Sequence, residues 1–543
     1  MSEEPVDADL DSPATRFAEN VVAESVTILL VFLFGIASTI LIVRGLPQTP
    51  VYEFYFYVLV FSWVNILVPL CVLGMDVALQ KHLPELIADH HRALGRSIFS
   101  ALAWPILLSF ALVPLAGLAI LLFSVQAGFP VQTHLVLAFA ILTVPLTAVS
   151  LVFQGAFRGM QKMRYVAFAM GFYHGLYVGA LAILFVTWTL NLATVIWTNI
   201  IVSIATIIYE VFILLKLIQR ENGRYIQPQL GSWYRRLAST AIPALLLSLL
   251  GALFLYGPLL IVNVYRTSDV TFAAVGLALG IAVWIQQGLG APYRVLIPRT
   301  SGEIARNAWS VISRYMRRAW KLGVLLSAFV VVVSLYYAGP VFSLLFGGTG
   351  NVALPYFILM AGSFLIYPFT VMFADVLIGI GKIKSVLIIN GIWTGVVVVV
   401  LWFVAPIYRE LIVAFIWLVG IPFLVVYLML YQRKTDSRLA FGFIPRLVVV
   451  LVLVALIALG IVVIGELLMV MWGLVGVISL GFQIGVVLTL IPLTVLYLWL
   501  LVRIRVFNSG DRLAVLRLSA ELHPVSRPVS WLVEQIGPQE ERE

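Results

Sequence analysis

The chain has 543 residues, of which 62% are hydrophobic and only 11% charged, and its mean hydropathy is +1.07. A soluble domain needs charge on its water-facing side, so this composition excludes one. The net charge of +9 raises nucleic acid as a partner, but the basic residues sit at the ends of apolar segments, where they meet lipid headgroups instead.

Residues 1–21 form an acidic, polar leader without the basic start of a cleavable signal peptide. Fourteen apolar segments follow, at 22–43, 53–75, 98–123, 133–154, 165–187, 193–216, 239–264, 270–290, 321–345, 353–379, 385–406, 411–431, 446–468 and 472–502. Each approaches or exceeds the ~20 helical residues that cross about 30 Å of hydrocarbon. Thirty-one of the 34 Lys and Arg lie in the terminal tails or in alternate loops, and only Arg44, Arg266 and Arg409 fall in the other set. That alternation predicts a multi-pass protein of the plasma or inner cell membrane with both termini cytoplasmic. Two cytoplasmic connections, 76–97 and 290–320, mix cations with apolar residues at helical spacing and predict amphipathic helices on the inner leaflet. Residues 503–543 read as a cytoplasmic tail.

The chain repeats itself. At an offset of 220 residues Phe153, Gly159, Lys162, Arg164 and Val166 align with Phe373, Gly379, Lys382, Lys384 and Val386. The register continues to Gly171 with Gly391 and Gly175 with Gly395; Pro84 with Pro298 and Arg44 with Arg266 repeat at nearly the same spacing. The repeat defines two six-helix lobes, 22–220 and 221–434, with 435–502 as a two-helix extension. An even number of spans per repeat makes the lobes parallel, facing each other across a central cavity. The expected fold is therefore an all-α integral membrane protein with about fourteen transmembrane helices.

An enzymatic function is not expected. The sequence carries no P-loop, no glycine-rich phosphate cradle, no His/Cys/Asp cluster at metal-ligand spacing and no large extramembrane loop for catalysis. With Cys71 as the single cysteine, neither an intrachain disulfide nor a cysteine-based metal site is possible. No cofactor is expected.

Four stretches carry a family resemblance: Gly74-Met-Asp-Val-Ala-Leu-Gln-Lys-His-Leu-Pro84-Glu, Gln154-Gly-Ala-Phe-Arg-Gly-Met-Gln-Lys162, Leu345-Phe-Gly-Gly and Gly379-Ile-Gly-Lys-Ile-Lys384. In order and position they resemble the Wzx-type polysaccharide flippases of the multidrug/oligosaccharidyl-lipid/polysaccharide (MOP) exporter superfamily, over residues 20–430. The resemblance implies alternating-access transfer of a polyprenyl- or dolichyl-(pyro)phosphate-linked oligosaccharide from the cytoplasmic to the outer leaflet, for surface polysaccharide or glycoprotein assembly. Its partners would be membrane lipids and glycan polymerase or ligase machinery, with the transporter itself a monomer. The chain departs from two branches of the superfamily. Peptidoglycan-precursor flippases have several arginines in the first span, which here has Arg44 alone. The drug exporters (MATE transporters) use an acidic residue of the first span for cation coupling, and here Glu24 lies near the cytoplasmic end of that span. A Na⁺- or H⁺-coupled exporter of amphipathic molecules is the alternative function, and a membrane glycan polymerase or ligase the third.

Such a cargo needs cations for its phosphate and hydrogen-bonding groups for its sugars. Arg44 and Arg266, at equivalent outer positions, either draw the phosphate across or snorkel to headgroups. Arg294 and Arg299 either capture phosphate on the cytoplasmic side or anchor the fold there. His174 and Asn65, within spans, either bind sugar hydroxyls or bond neighbouring helices. Glu24, Glu210 and Asp375 are candidates for ion coupling, or for pairing with nearby cations.

Overall fold

The computed structural model describes residues 13–46, 53–88, 94–126, 131–221, 230–265, 268–290, 293, 296–305, 309–415, 420–435, 444–471 and 488–503. They are helical, with no strand among them. Among the described residues, nine helices are long and apolar enough to cross a membrane, and shorter apolar helices accompany them at Leu30–Gly45, Pro445–Ile461 and Leu490–Leu501. The protein is a multi-pass membrane protein. The last expected span begins in residues 472–487, outside the described residues.

The first lobe comprises α1 (Pro13–Gly45), α2 (Glu53–Val72), α3 (Met75–Ala88), α4 (Leu94–Gln126), α5 (Val131–Ala140), α6 (Thr143–Gly159), α7 (Met163–Val186) and α8 (Leu192–Glu221). The second comprises α9 (Leu230–Tyr265), α10 (Asp269–Gly290), α11 (Leu296–Ala305), α12 (Trp309–Ala361), α13 (Tyr367–Gly379), α14 (Ile383–Tyr408), α15 (Leu411–Phe415) and α16 (Gly420–Thr435), followed by α17 (Ile444–Met471) and α18 (Leu490–Arg503). The pairings repeat between lobes. Helix α1 packs on α7 as α9 packs on α14, and α3 packs on α6 as α11 packs on α13.

Helix α12 is two passes joined at a break. Gly347 has φ 60° and ψ −136°, a conformation outside the helical region that glycine adopts at low cost. At ~1.5 Å per residue an unbroken helix of that length would be more than twice as long as the hydrocarbon is thick.

The repeated glycines have a packing role. A Cβ at Gly155 would lie 2.6 Å from Cα of Asp76, and one at Gly159 would lie 2.6 Å from the carbonyl oxygen of Leu79. Helices α3 and α6 thus touch backbone to backbone along a small-residue seam. In the second lobe Gly379 is pressed onto Thr300 of α11, and Ser301 Oγ donates to the Gly379 carbonyl at 3.2 Å. The helices described within the two amphipathic connections, α3 and α11, are therefore packed inside the protein rather than laid on the leaflet. Ala78, Leu79 and Leu83 are fully buried, and α3 reaches α6, α9 and α11.

The extension docks on α12. Tyr497 Oη donates to the Leu325 carbonyl at 2.7 Å while its ring stacks on Phe329, and the hydroxyls of Tyr337 and Thr489 lie 2.9 Å apart.

Candidate functional site

The lobes meet at both ends. At the end bearing Lys81, Arg158, Arg235 and Lys382, called the basic end below, α3 bridges to α9: His82 Nε2 lies 2.9 Å from Thr240 Oγ1, with the Trp233 ring edge-on to the imidazole. Gly74, with φ +67°, seats this bridge, because a Cβ there would come within 2.6 Å of the Leu245 backbone nitrogen. At the opposite end Tyr55 Oη donates to Asn263 Oδ1 at 3.1 Å, and its ring meets Phe272 edge-on. Arg44 donates through Nε to the Leu345 carbonyl at 2.7 Å and through its second arm to the Leu344 carbonyl. The break at Gly347 deprives those carbonyls of their helical partners, and the guanidinium supplies donors in their place.

Between these contacts lies a cavity of 410 Å³, walled mainly by α1, α2, α6, α7 and α8 of the first lobe and completed by α9 and α10 of the second. Its polar lining includes Ser38, Thr39, Ser62, Asn65, Thr143, Thr147, Ser150, Gln154, His174, Asn199, Ser203, Thr206 and Gln287. Its aromatic lining includes Tyr57, Tyr173, Tyr177, Tyr256 and Trp284. Among the described residues lining it there is no Lys, Arg, Asp or Glu.

Specific contacts hold these side chains in place. Asn199 Nδ2 donates to Tyr173 Oη at 2.9 Å, and the Tyr173 and Tyr177 rings stack. Trp284, from the second lobe, meets the His174 ring edge-on with centroids 5.7 Å apart. It fits there because Gly35 of α1 gives it room: a Cβ on Gly35 would come within 2.8 Å of the indole. Asn65 donates to the Phe61 carbonyl at 2.7 Å, which leaves its amide oxygen for other partners.

Beneath the cavity, towards the basic end, Glu210 is fully buried. Its Oε1 accepts from Ser150 Oγ at 2.9 Å and from Gln154 Nε2 at 3.5 Å, while Oε2 has no hydrogen-bond partner among the described residues. Ser150, Gln154 and Arg158 form one stripe of α6 at four-residue spacing, so the polar face continues from the cavity wall to a buried arginine.

The sequence candidates divide as follows. His174 and Asn65 line the cavity, and Glu210 sits directly below it. Arg44 is at the lobe contact opposite the basic end. Arg299 lies on α11 at the basic end, half-buried. Asp375, half-buried on α13, lies near enough to Tyr427 for its charge to act on that hydroxyl, and Tyr427 also accepts from Asn390 Nδ2 at 2.6 Å. Arg266, Arg294 and the side chain of Glu24 lie outside the described residues. An aromatic contribution to the cavity is expected for such a cargo, but neither its particular residues nor Asp76 stands out in the sequence. Tyr173 and Trp284 belong to helices from different lobes, and nothing in either segment marks them. Asp76 lies in a stretch that resembles a basic loop.

The equivalent position of the second lobe is packed differently. At the offset of the repeat Tyr173 corresponds to Trp393, which packs on Phe254 at 4.6 Å and stacks on Phe423 at 5.4 Å between ring centroids.

No protein-family model matches the chain, and no curated protein matches it in sequence. Solved structures do share its fold. A mutant of the Vibrio cholerae MATE transporter VcmN aligns at TM-score 0.59 and 17% identity, over 78% of this chain and 97% of that one. An inward-facing multidrug resistance MATE family transporter of the MOP superfamily aligns at TM-score 0.57 and 13% identity, over 77% and 98%. A MOP superfamily transporter from Pyrococcus furiosus, described as having a binding pocket of reverse polarity, aligns at TM-score 0.55 and 12% identity, over 80% and 99%. The chain thus has the two-lobe fold seen in MATE transporters of the MOP superfamily.

Proposed function

We propose that this protein is an alternating-access transporter that flips a polyprenyl- or dolichyl-(pyro)phosphate-linked oligosaccharide from the cytoplasmic to the outer leaflet of the cell membrane. The observation that carries this reading is the uncharged, hydrogen-bonding and aromatic lining of the cavity. Hydroxyls and amides pair with sugar hydroxyls, and flat aromatic faces receive the apolar faces of pyranose rings. The volume falls within the ~300–1,000 Å³ of sites for small molecules, room for part of a glycan. A phosphate inside this lining would be a buried charge without a cation, so the phosphates belong outside it. Arg299 at the basic end, and at the other Arg44 with the donors left over from the Leu344 and Leu345 carbonyls, are assigned to meet them. The positive-inside bias makes the basic end cytoplasmic, and glycan polymerase or ligase machinery would consume the product.

A second reading, a cation-coupled exporter of amphipathic molecules, draws on the same aromatic faces with Glu210 below them, since ring faces also attract cations. The fold accommodates either cargo. Reconstituted vesicles separate the two. Protein-dependent flipping of a short polyprenyl-pyrophosphate oligosaccharide, reduced by Trp284→Ala, supports the flippase. No flipping, in vesicles that extrude a cationic dye down an imposed ion gradient, assigns the exporter function instead.

A further inference from the structure

We infer that Asp76, Arg158 and Glu210 form a buried site that binds one exchangeable proton, joining the floor of the cavity to the helix that bridges the lobes at the basic end. The inference starts from charge. Glu210 is fully buried and Arg158 is 6% exposed. Asp76 Oδ1 and Glu210 Oε2 are both sealed from solvent without a hydrogen-bond partner among the described residues. The guanidinium charge acts on both carboxyls. One cation acting on two carboxylates leaves a net negative charge in a low-dielectric setting, and uptake of one proton removes it. Burial holds the Asp76 carboxyl above the ordinary range, against the Val77 backbone N–H and the Arg158 charge, which pull it down.

Placement gives the proton a route. Ser150 and Gln154 contact Glu210 and also line the cavity. Asp76 opens α3, pressed against Gly155, and six residues further along α3 His82 meets Thr240 of the second lobe. Tyr209, adjacent on α8, is the other titratable group on which the Glu210 charge acts. Among the described residues, the other ionisable groups towards this end of the packed helices are Cys71 on α2, Lys81 and His82 on α3, Lys162 before α7, Arg164 and Tyr165 on α7, Lys216 on α8, Tyr234, Arg235 and Arg236 on α9, and Arg299 on α11. Among the described residues, Arg158 is the cation whose charge reaches both carboxyls. The site belongs to the first lobe alone. At the offsets of the repeat its three positions correspond to Gly290, Ile378 and Leu430. The proton-binding claim stands apart from the cargo; only its coupling to transport rests on the transporter reading.

Infrared difference spectroscopy of the full-length protein in detergent, with ¹³C-carboxyl labels on Asp and Glu, reads the site without any cargo. Against wild type at neutral pH, Asp76→Asn and Glu210→Gln should each lose one protonated-carboxyl band, because the remaining acid then pairs with Arg158 and ionises. Arg158→Gln should gain one band. In wild type alone, the band should shift in D₂O and disappear on alkaline titration. Spectra in which neither acid variant loses a band overturn the inference, as does a wild type lacking the band in sodium buffer and regaining it without sodium, which would make the ligand a metal cation. Where a variant does not give monodisperse protein, the wild-type titration decides.

Discussion

Arg44 and Leu345, 301 residues apart, join the two lobes opposite the basic end: the Arg44 guanidinium donates to the Leu345 carbonyl at 2.7 Å. The bond exists because Gly347 breaks the helix just beyond, leaving carbonyls that need donors. Arg44→Gln should therefore widen the separation of the lobes at this end. Double electron–electron resonance between labels on the tips of α2 and α10 is expected to show a several-fold rise in the separated population. An unchanged distance distribution would mean that the Tyr55–Asn263 contact suffices.

Close packing at Gly155 makes a prediction about stability. Gly155→Ala drives a methyl group into the Asp76 backbone and should cost about 1–3 kcal/mol, as overpacking typically does. Gly179→Ala, with open space around the added carbon, is expected to be close to neutral. Thermal unfolding in detergent compares the two. Equal losses would mean that α3 yields easily to a larger neighbour.

The Asp76 carboxyl is raised by burial, and its sign in stability follows directly. The native state holds its proton more tightly than the unfolded chain, so Asp76 contributes stability below the ordinary carboxylate value, and that contribution is lost as pH rises through the raised native value. Asp76→Asn fixes the uncharged form. Its stability should fall less than that of wild type as pH rises above the ordinary carboxylate range, measured by the same unfolding assay.

Trp284 crosses from the second lobe to the His174 ring. Trp284→Ala should reduce the initial rate of oligosaccharide flipping about tenfold, equivalent to ~1.4 kcal/mol, with Trp284→Phe retaining most of the activity. Vesicle flipping assays measure both. Full activity in the alanine variant would place the cargo elsewhere.

Much of the architecture was legible because apolar length and alternating charge depend on local sequence. The pairing of Gly159 with Gly379 was visible as a repeat, yet its role as a backbone seam depended on α3 and α11, which read as amphipathic surface segments. His174, Asn65 and Glu210 stood out as polar residues in apolar runs. Tyr173 and Trp284 did not, since an aromatic in a membrane span is unremarkable until a helix from the other lobe faces it. Arg158 was hidden by its neighbours: beside Lys162 and Arg164 it looks like one more topology-setting cation, and only burial separates it from them.

The packing around Trp393 has an evolutionary consequence. Where Tyr173 of the first lobe lines the cavity, Trp393 of the second packs between Phe254 and Phe423. If the cavity carries the cargo, as proposed, the two copies of the repeat do different work. Selection on cargo choice then acts on only one copy, while the other is held to shape alone, so substitutions that change what is carried should accumulate on α2, α7 and α8 and spare α14.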